Sequence, residues 1–345
     1  MRLKLWLSIV ICLIFSISLT GGALGADSTK LRFAYSMPSK ASPADAWEWW
    51  GEELKRQTNG KYSVEYYPLQ SLFKVRAAIE NIIKGTGDIA NISIRTTAHR
   101  YPLLSVTMIP TVRWPNDPQG IHDASTSIMK LIDEFPAIQR EVKDFKVLWV
   151  LMLTDYYLYT KKPVTKPSDL KGMNIGSGGS QAAFVKAQGG GAVGVIPPRS
   201  YMNLKTGVID GMVMSYNAVG HYKIWEVTKN AYEMPMGRVP LPMIMNLKSW
   251  RAIPKDVQKL MMDLGEKTLL MSAKGMYAGE KKGRVKWANA GRKSVVPSER
   301  EMAVWMKAFE PLEKKWLDDS LKAGRKDAPD VLKRWKQMAA EAWTN

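Results

Sequence analysis

Two arginines, a glycine-rich turn and a set of tyrosines are the residues of this 345-residue chain best placed for chemistry, and the chemistry they suit is binding. Arg95 follows an apolar run that reads as a strand, and Arg238 stands two residues ahead of Pro240, where a return strand is expected. A guanidinium that loses water in a cleft needs a counter-charge, and an anionic ligand supplies one. The turn Gly176-Ser-Gly-Gly-Ser180 precedes a segment with helical spacing, so Gly178 and Ser180 would lie beside a helix N-terminus, whose free amides favour anions. Tyr156 and Tyr157 follow a strong apolar strand at 145–152, and Tyr216 and Asn217 follow Asp210-Gly211. Aromatic and apolar side chains with a few oriented polar groups are the usual lining of a ligand cleft. Ser36 and Met37, in the loop after the first strand, complete the candidate set.

Bond-making chemistry finds little support. The three histidines, His99, His122 and His221, form no pair at ligand spacing, and the chain has no HExxH. The 176–180 turn is not the Gly-x-Ser-x-Gly elbow of a hydrolase, and it lacks the lysine of a phosphate loop. No carboxylate pair is placed for acid and base work. No catalytic residue, metal site or cofactor is therefore expected.

The elements that must position these residues alternate. A strand at 31–35, a helix from Ser42-Pro43 carrying Trp47, Trp50 and Leu54 on one face, a strand at 61–67, a helix over 71–84 and a strand over 89–94 open a parallel, doubly wound lobe. Asp117-Pro118 caps and starts a helix reaching Phe135, and the 145–152 strand carries the chain onward. The stretch 164–215 repeats the pattern: strand at 174–177, helix at 181–188, strand at 192–196, helix at 198–205. A helix or crossover follows at 216–229, then a return strand at 238–247, a long helix from Pro254 to near Ala290, and amphipathic helices over 298–323 and 328–343. The expected fold is α/β, with two lobes of parallel-dominated sheet flanked by helices. Lobe I takes 26–152 and part of 240–290, lobe II takes 153–239, and the helical region 254–345 packs on both.

Taken in order, SDLKGMNI at 168–175, KTGVIDG at 205–211 and PLPMIMNLKSW at 240–250 followed by Ile253-Pro254 resemble the substrate-binding proteins of tripartite ATP-independent periplasmic (TRAP) transporters, DctP-like. The likeness extends upstream through LRFA at 31–34, residues 64–72 and KGTGDIA at 84–90. The resemblance implies a periplasmic-binding-protein-like fold of type II with a long helix across both lobes. It also implies capture of a small organic anion by hinge closure and delivery to an integral membrane permease. It further implies an arginine after the strand at 174–175 that clamps the ligand carboxylate. Here that position is Gly176, and no arginine lies between Arg140 and Arg199. A glycine cannot replace a planar two-pronged donor, so Arg95 and Arg238 are the candidates to take over. Twenty methionines and the tyrosines favour an aromatic or apolar acid over a polyhydroxy one.

Charge and export signals set the compartment. Arg2 and Lys4 precede an uncharged apolar run and then small residues to Ala26, the order of a secretory signal over 1–25. Cys12, the only cysteine, lies inside that run, so the exported chain would have none and no disulfide. Removing Arg2 and Lys4 takes two charges from a net +18, and the protein stays strongly basic. The basic residues are scattered as pairs such as Lys161-Lys162 and Lys314-Lys315, without the aromatic interleaving of a nucleic-acid surface. A periplasmic monomer without a nucleic-acid partner is expected. A ligand sensor, or a secreted enzyme on the same two-lobe fold, stands as the alternative.

Overall fold

Parallel strands come first. β1 (Thr29–Ala34) runs alongside β2 (Tyr62–Tyr67) and β3 (Ile89–Asn91), parallel to both, with α1 (Ala44–Gln57) bridging β1 to β2. The computed structural model describes residues 28–40 and 42–344; the expected export signal and Cys12 lie outside them. α1 turns Trp47, Trp50 and Leu54 inward at helical spacing, and both tryptophans are fully buried. β10 (Pro240–Asn246) returns from the far half of the chain and inserts antiparallel between β3 and β4 (Phe145–Met152). The first sheet therefore reads β2-β1-β3-β10-β4.

The second sheet has six strands in the order β11-β9-β5-β8-β6-β7. Its parallel part is β6 (Asn174–Gly176) between β7 (Gly191–Val193) and β8 (Gly211–Met214). β5 (Tyr157–Thr160) is antiparallel to β8 and to β9 (Asn230–Tyr232), and β11 (Lys293–Val295) closes the edge parallel to β9. Both sheets are thus mixed: β10, which enters the first sheet from the second lobe, and β5, which enters the second sheet from the first lobe, each run against the rest. This is the two-lobe α/β fold the sequence predicts.

Several local expectations are corrected. Ser42 does not cap α1; Pro43 occupies the cap position, with no side-chain cap bond. The 71–84 helix is regular only over α2 (Ala78–Lys84), after a 3-10 turn at Val75–Ala77. Phe73 is held instead by tertiary packing: a Cβ added at Gly87 would lie 2.9 Å from its Cε1. The 89–94 strand stops at Asn91, and α3 (Ile94–Thr97) begins where extended chain was expected. By contrast, Asp117 caps α4 (Pro118–Glu134) as predicted, its Oδ1 accepting from Gly120 N at 2.8 Å.

One helix spans the molecule. α10 (Lys255–Asn289) has 35 residues, about 50 Å at 1.5 Å per residue. It packs against α1, α4 and β4 on one side and α8 (Tyr216–His221) on the other. Gly283 permits the second contact: a Cβ there would stand 2.0 Å from the Tyr216 carbonyl oxygen, so only a hydrogen fits. Gly283→Ala must push α8 off the helix, and a loss of about 1–3 kcal/mol in urea unfolding is expected. An unchanged midpoint and slope would show that α8 is not held this way.

Candidate functional site

The lobes meet along a seam whose floor is Arg95. This arginine sits in the single turn of α3, and it points across the seam at α6 (Gly179–Ala187). A Cβ added to Gly178, the N-cap of α6, would lie 2.9 Å from Arg95 Nε and 3.2 Å from its Cγ. Glycine at that position is what lets the guanidinium reach the helix N-terminus. Tyr156 forms a wall, with its ring centroid 5.6 Å from the guanidinium carbon. Ser180 Oγ donates to the Met108 carbonyl at 2.8 Å, tying α6 to the 3-10 segment Leu104–Met108 of the first lobe.

Arg95 is the electrostatic anomaly of the molecule. The residue is partly exposed, but its Nη2 is buried and has no hydrogen-bond partner. Among the described residues no carboxylate forms an ion pair with it, and burial pushes its pKa below the ordinary arginine value. Tyr156, the titratable group nearest it, is itself raised by burial.

Arg238 is different. Its Nε donates to Asp155 Oδ1 at 2.7 Å, and its Nη2 donates to the carbonyls of Trp114 and Pro115 at 3.0 and 2.9 Å. The counter-charge that a buried Arg238 requires comes from Asp155 and the 114–116 loop. Only Nη1 is left without a partner. Arg238 therefore ties the second crossover to the first, while Arg95 keeps its donor free.

Tyr157, Tyr216 and Asn217 gather around a second buried polar group on α10. Tyr157 accepts from Asn116 Nδ2 at 3.0 Å, and Tyr216 donates to Glu233 Oε1 at 2.7 Å. Arg284 lies over the Tyr216 ring at 4.2 Å and pairs with Glu233 at 2.5 Å. Glu280 accepts from Asn217 N at 3.1 Å and from Thr154 Oγ1 at 3.2 Å. Ser36 and Met37 are in the first lobe: Ser36 N donates to Asn91 Oδ1 at 3.1 Å, and Met37 is partly buried against the core. The structure thus brings Arg95, Tyr156, Gly178 and Ser180 together at the seam. It gathers Tyr157, Tyr216 and Asn217 behind them. The sequence reading missed Met108, Gln181, Met236 and Glu280, whose spacing carries no signal until the lobes are assembled.

Burial raises the Glu280 carboxyl to about 7, against opposing effects from Arg284, Asn217 N and Thr154. An acid whose folded pKa exceeds its unfolded value makes the folded state bind more protons between the two, so stability falls as pH rises across that interval. For Glu280 the interval runs from about 4.5 to about 7. Glu280→Gln keeps an acceptor for Asn217 and Thr154, and it should gain on the wild type between pH 5 and pH 8 by on the order of 1–3 kcal/mol. Parallel curves in pH-dependent melting would show that Glu280 is ionised throughout.

The family model of the bacterial extracellular solute-binding proteins, family 7 (DctP), matches residues 33–319. A solute-binding protein of Albidiferax ferrireducens is 25% identical over 240 residues, covering 64% of this chain and 66% of that protein, just under two thirds of its length. A TRAP periplasmic solute-binding protein of Desulfovibrio salexigens, solved as an open complex with a symmetry mate's C-terminus in its ligand site, superposes with a TM-score of 0.78 at 25% identity. That match covers 92% of this chain and 97% of that one. A TRAP solute-binding protein of Rhodoferax ferrireducens in complex with copurified benzoate gives a TM-score of 0.83 at 21% identity, over 92% and 99% of the two chains, a likeness of fold alone.

Proposed function

This chain belongs to family 7 of the bacterial extracellular solute-binding proteins, and we propose that it captures a small organic anion between its lobes and passes it to membrane permease subunits. The observation that carries the reading is Arg95: a guanidinium whose Nη2 is buried and free, with no carboxylate paired to it among the described residues, facing the N-terminus of a nine-residue helix. A carboxylate in the seam meets the guanidinium on one side and the amides of α6 on the other. Because α3 belongs to the first lobe and α6 to the second, one bound anion draws both lobes together. Closure is then favoured by the ligand's differential affinity for the closed form.

The carboxylate arginine that the resemblance implies at the Gly176 position would crowd its neighbours here. A Cβ at Gly176 would already touch Ile209 Cδ1 at 3.0 Å and Met212 Cγ at 3.3 Å. The anchoring charge comes instead from the opposite lobe. Met108 beside Gly179 and the Tyr156 ring favour an aromatic or apolar acid. The benzoate of the Rhodoferax neighbour and the C-terminus in the ligand site of the Desulfovibrio one are in keeping with a carboxylate ligand. Work as a monomer in the periplasm, with lobe boundaries near 152 and 239, completes the proposal. No helix among the described residues is long and apolar enough to cross a membrane.

A thermal-shift screen tests it. Aromatic, keto, hydroxy and dicarboxylic acids are compared with their methyl esters, which keep the shape and lose the charge. A ligand at about 100 times its Kd stabilises by about 2.7 kcal/mol. Shifts from acids alone are expected. Equal shifts from acid and ester would remove the anion from the reading.

A further inference from the structure

Lysines that lie apart in the sequence are gathered by the fold at one end of the second lobe. From Lys281 to Lys293 the chain carries six basic residues and no acidic one. Lys281, Lys282 and Lys286 lie on the exposed side of the last turns of α10, around Val285, which is 58% exposed. Contacts bring three more lysines to them. Lys286 Nζ stands 5.5 Å from the centroid of the Trp225 ring and donates to the Gly220 carbonyl at 3.4 Å. Trp225 belongs to the 3-10 turn Ile224–Glu226, which Lys223 precedes. Arg292 Nε donates to the Trp225 carbonyl at 2.6 Å and holds the turn after α10 against the same tryptophan. Lys293 N, at the start of β11, donates to the Lys229 carbonyl at 3.0 Å.

Lys223, Lys229, Lys281, Lys282, Lys286 and Lys293 are all exposed, and nothing neutralises them. Among the described residues no carboxylate forms an ion pair with any of the six. Exposed lysines elsewhere are answered one turn along their helix, as in Lys259–Asp263 and Lys314–Asp318. Glu226, the one acidic residue between Lys223 and Lys229, accepts instead from Tyr201 Oη at 2.9 Å, and Glu280 beside Lys281 is buried. On a chain of net charge +18, this end is a concentrated positive field that attracts an anionic partner.

We propose that this patch rests on a bilayer bearing anionic phospholipids and holds the protein at the membrane surface. Three features favour lipid over other occupants. Lysines are point charges on flexible stems, suited to a fluid array of headgroups, and lysine is depleted where proteins dock on proteins. Exposed Val285 and half-buried Trp225 stand among them, the apolar and aromatic companions that enter the headgroup boundary and that a nucleic-acid backbone does not use. A second copy would set the same lysines against each other across a two-fold axis.

Flotation of the purified protein with vesicles tests this. Phosphatidylcholine vesicles are compared with mixed phosphatidylcholine and phosphatidylglycerol vesicles, at low and at high salt. Binding to the anionic vesicles alone is expected, with its loss in high salt. Each lysine near an anionic surface strengthens partitioning by about fivefold, so Lys281→Glu/Lys282→Glu should weaken it by about twentyfold or more. Lys314→Glu/Lys315→Glu makes the same change in net charge on a different helix and should weaken it by about twofold at most. Wild-type protein that does not float with anionic vesicles overturns the proposal and leaves an acidic protein surface as the occupant. Equal flotation with neutral vesicles also overturns it, and neither result requires a variant to fold. Equal losses in the two double variants overturn it too, because net charge alone would then account for the binding. No arm uses a ligand of the seam, so each outcome is separate from anion capture.

Discussion

Arg95→Met should abolish the binding of an organic acid while leaving the ligand-free protein as stable as the wild type or more so. Both halves follow from the same fact. Arg95 Nη2 has been taken out of water without a carboxylate to answer it, so the unliganded fold carries a desolvation cost that methionine removes. The bound anion repays that cost, and truncating one partner of a buried, hydrogen-bonded charge pair costs about 2–5 kcal/mol. Affinity should fall from about thirtyfold to several thousandfold. Titration calorimetry reads the affinity, and denaturant unfolding of the free protein reads the stability. A variant that loses stability and affinity together would mean that Arg95 supports the fold, and the seam would lose its anchor.

Arg238→Met should do the reverse. Its side chain and that of Asp155 are 3% and 12% exposed, and the pair sits among the Trp114 and Pro115 carbonyls. Removing one member strands the other as a buried charge, at about 3–5 kcal/mol. Arg238→Met is therefore expected to lower the unfolding midpoint strongly. Joining it to Asp155→Leu should recover most of the loss, because replacing a whole buried pair by apolar residues is often neutral. A single variant of wild-type stability would show that the pair contributes nothing net, and its place between the crossovers would need another explanation.

What the chain disclosed beforehand divides along range. Elements set by local periodicity and capping were legible: Phe145–Met152 matches its apolar run, and Glu299–Lys322 begins at the capping box of Ser298 and Glu301. β5 was not legible. Tyr157, its first residue, was read as a cleft-side aromatic after a strand, whereas the antiparallel partners of Tyr157–Thr160 lie at 211–214 and 230–232. A four-residue strand buried on both faces has no alternation to betray it.

The site shows the same boundary. Arg95 could be named from its place after an apolar run, and the absence of an arginine at Gly176 was visible in the sequence. That Arg95 would be unpaired and Arg238 paired was not, because Asp155 is 83 residues from Arg238. Gln181 is the extreme case. Its amide is oriented by a carbonyl 55 residues away, so nothing in its own segment distinguishes it from any glutamine in the first turn of a helix.

On the proposed function, the ligand's carboxylate lies in the seam on Arg95. A crystal structure of the protein with a bound aromatic acid tests it most directly. That structure should show a carboxylate oxygen within about 3 Å of Arg95 Nη2, with the amides at the start of Gly179–Ala187 on its other side and the Arg238–Asp155 pair intact. A carboxylate bound to Arg238 Nη1, or anywhere else while Arg95 stays unpaired, would contradict it.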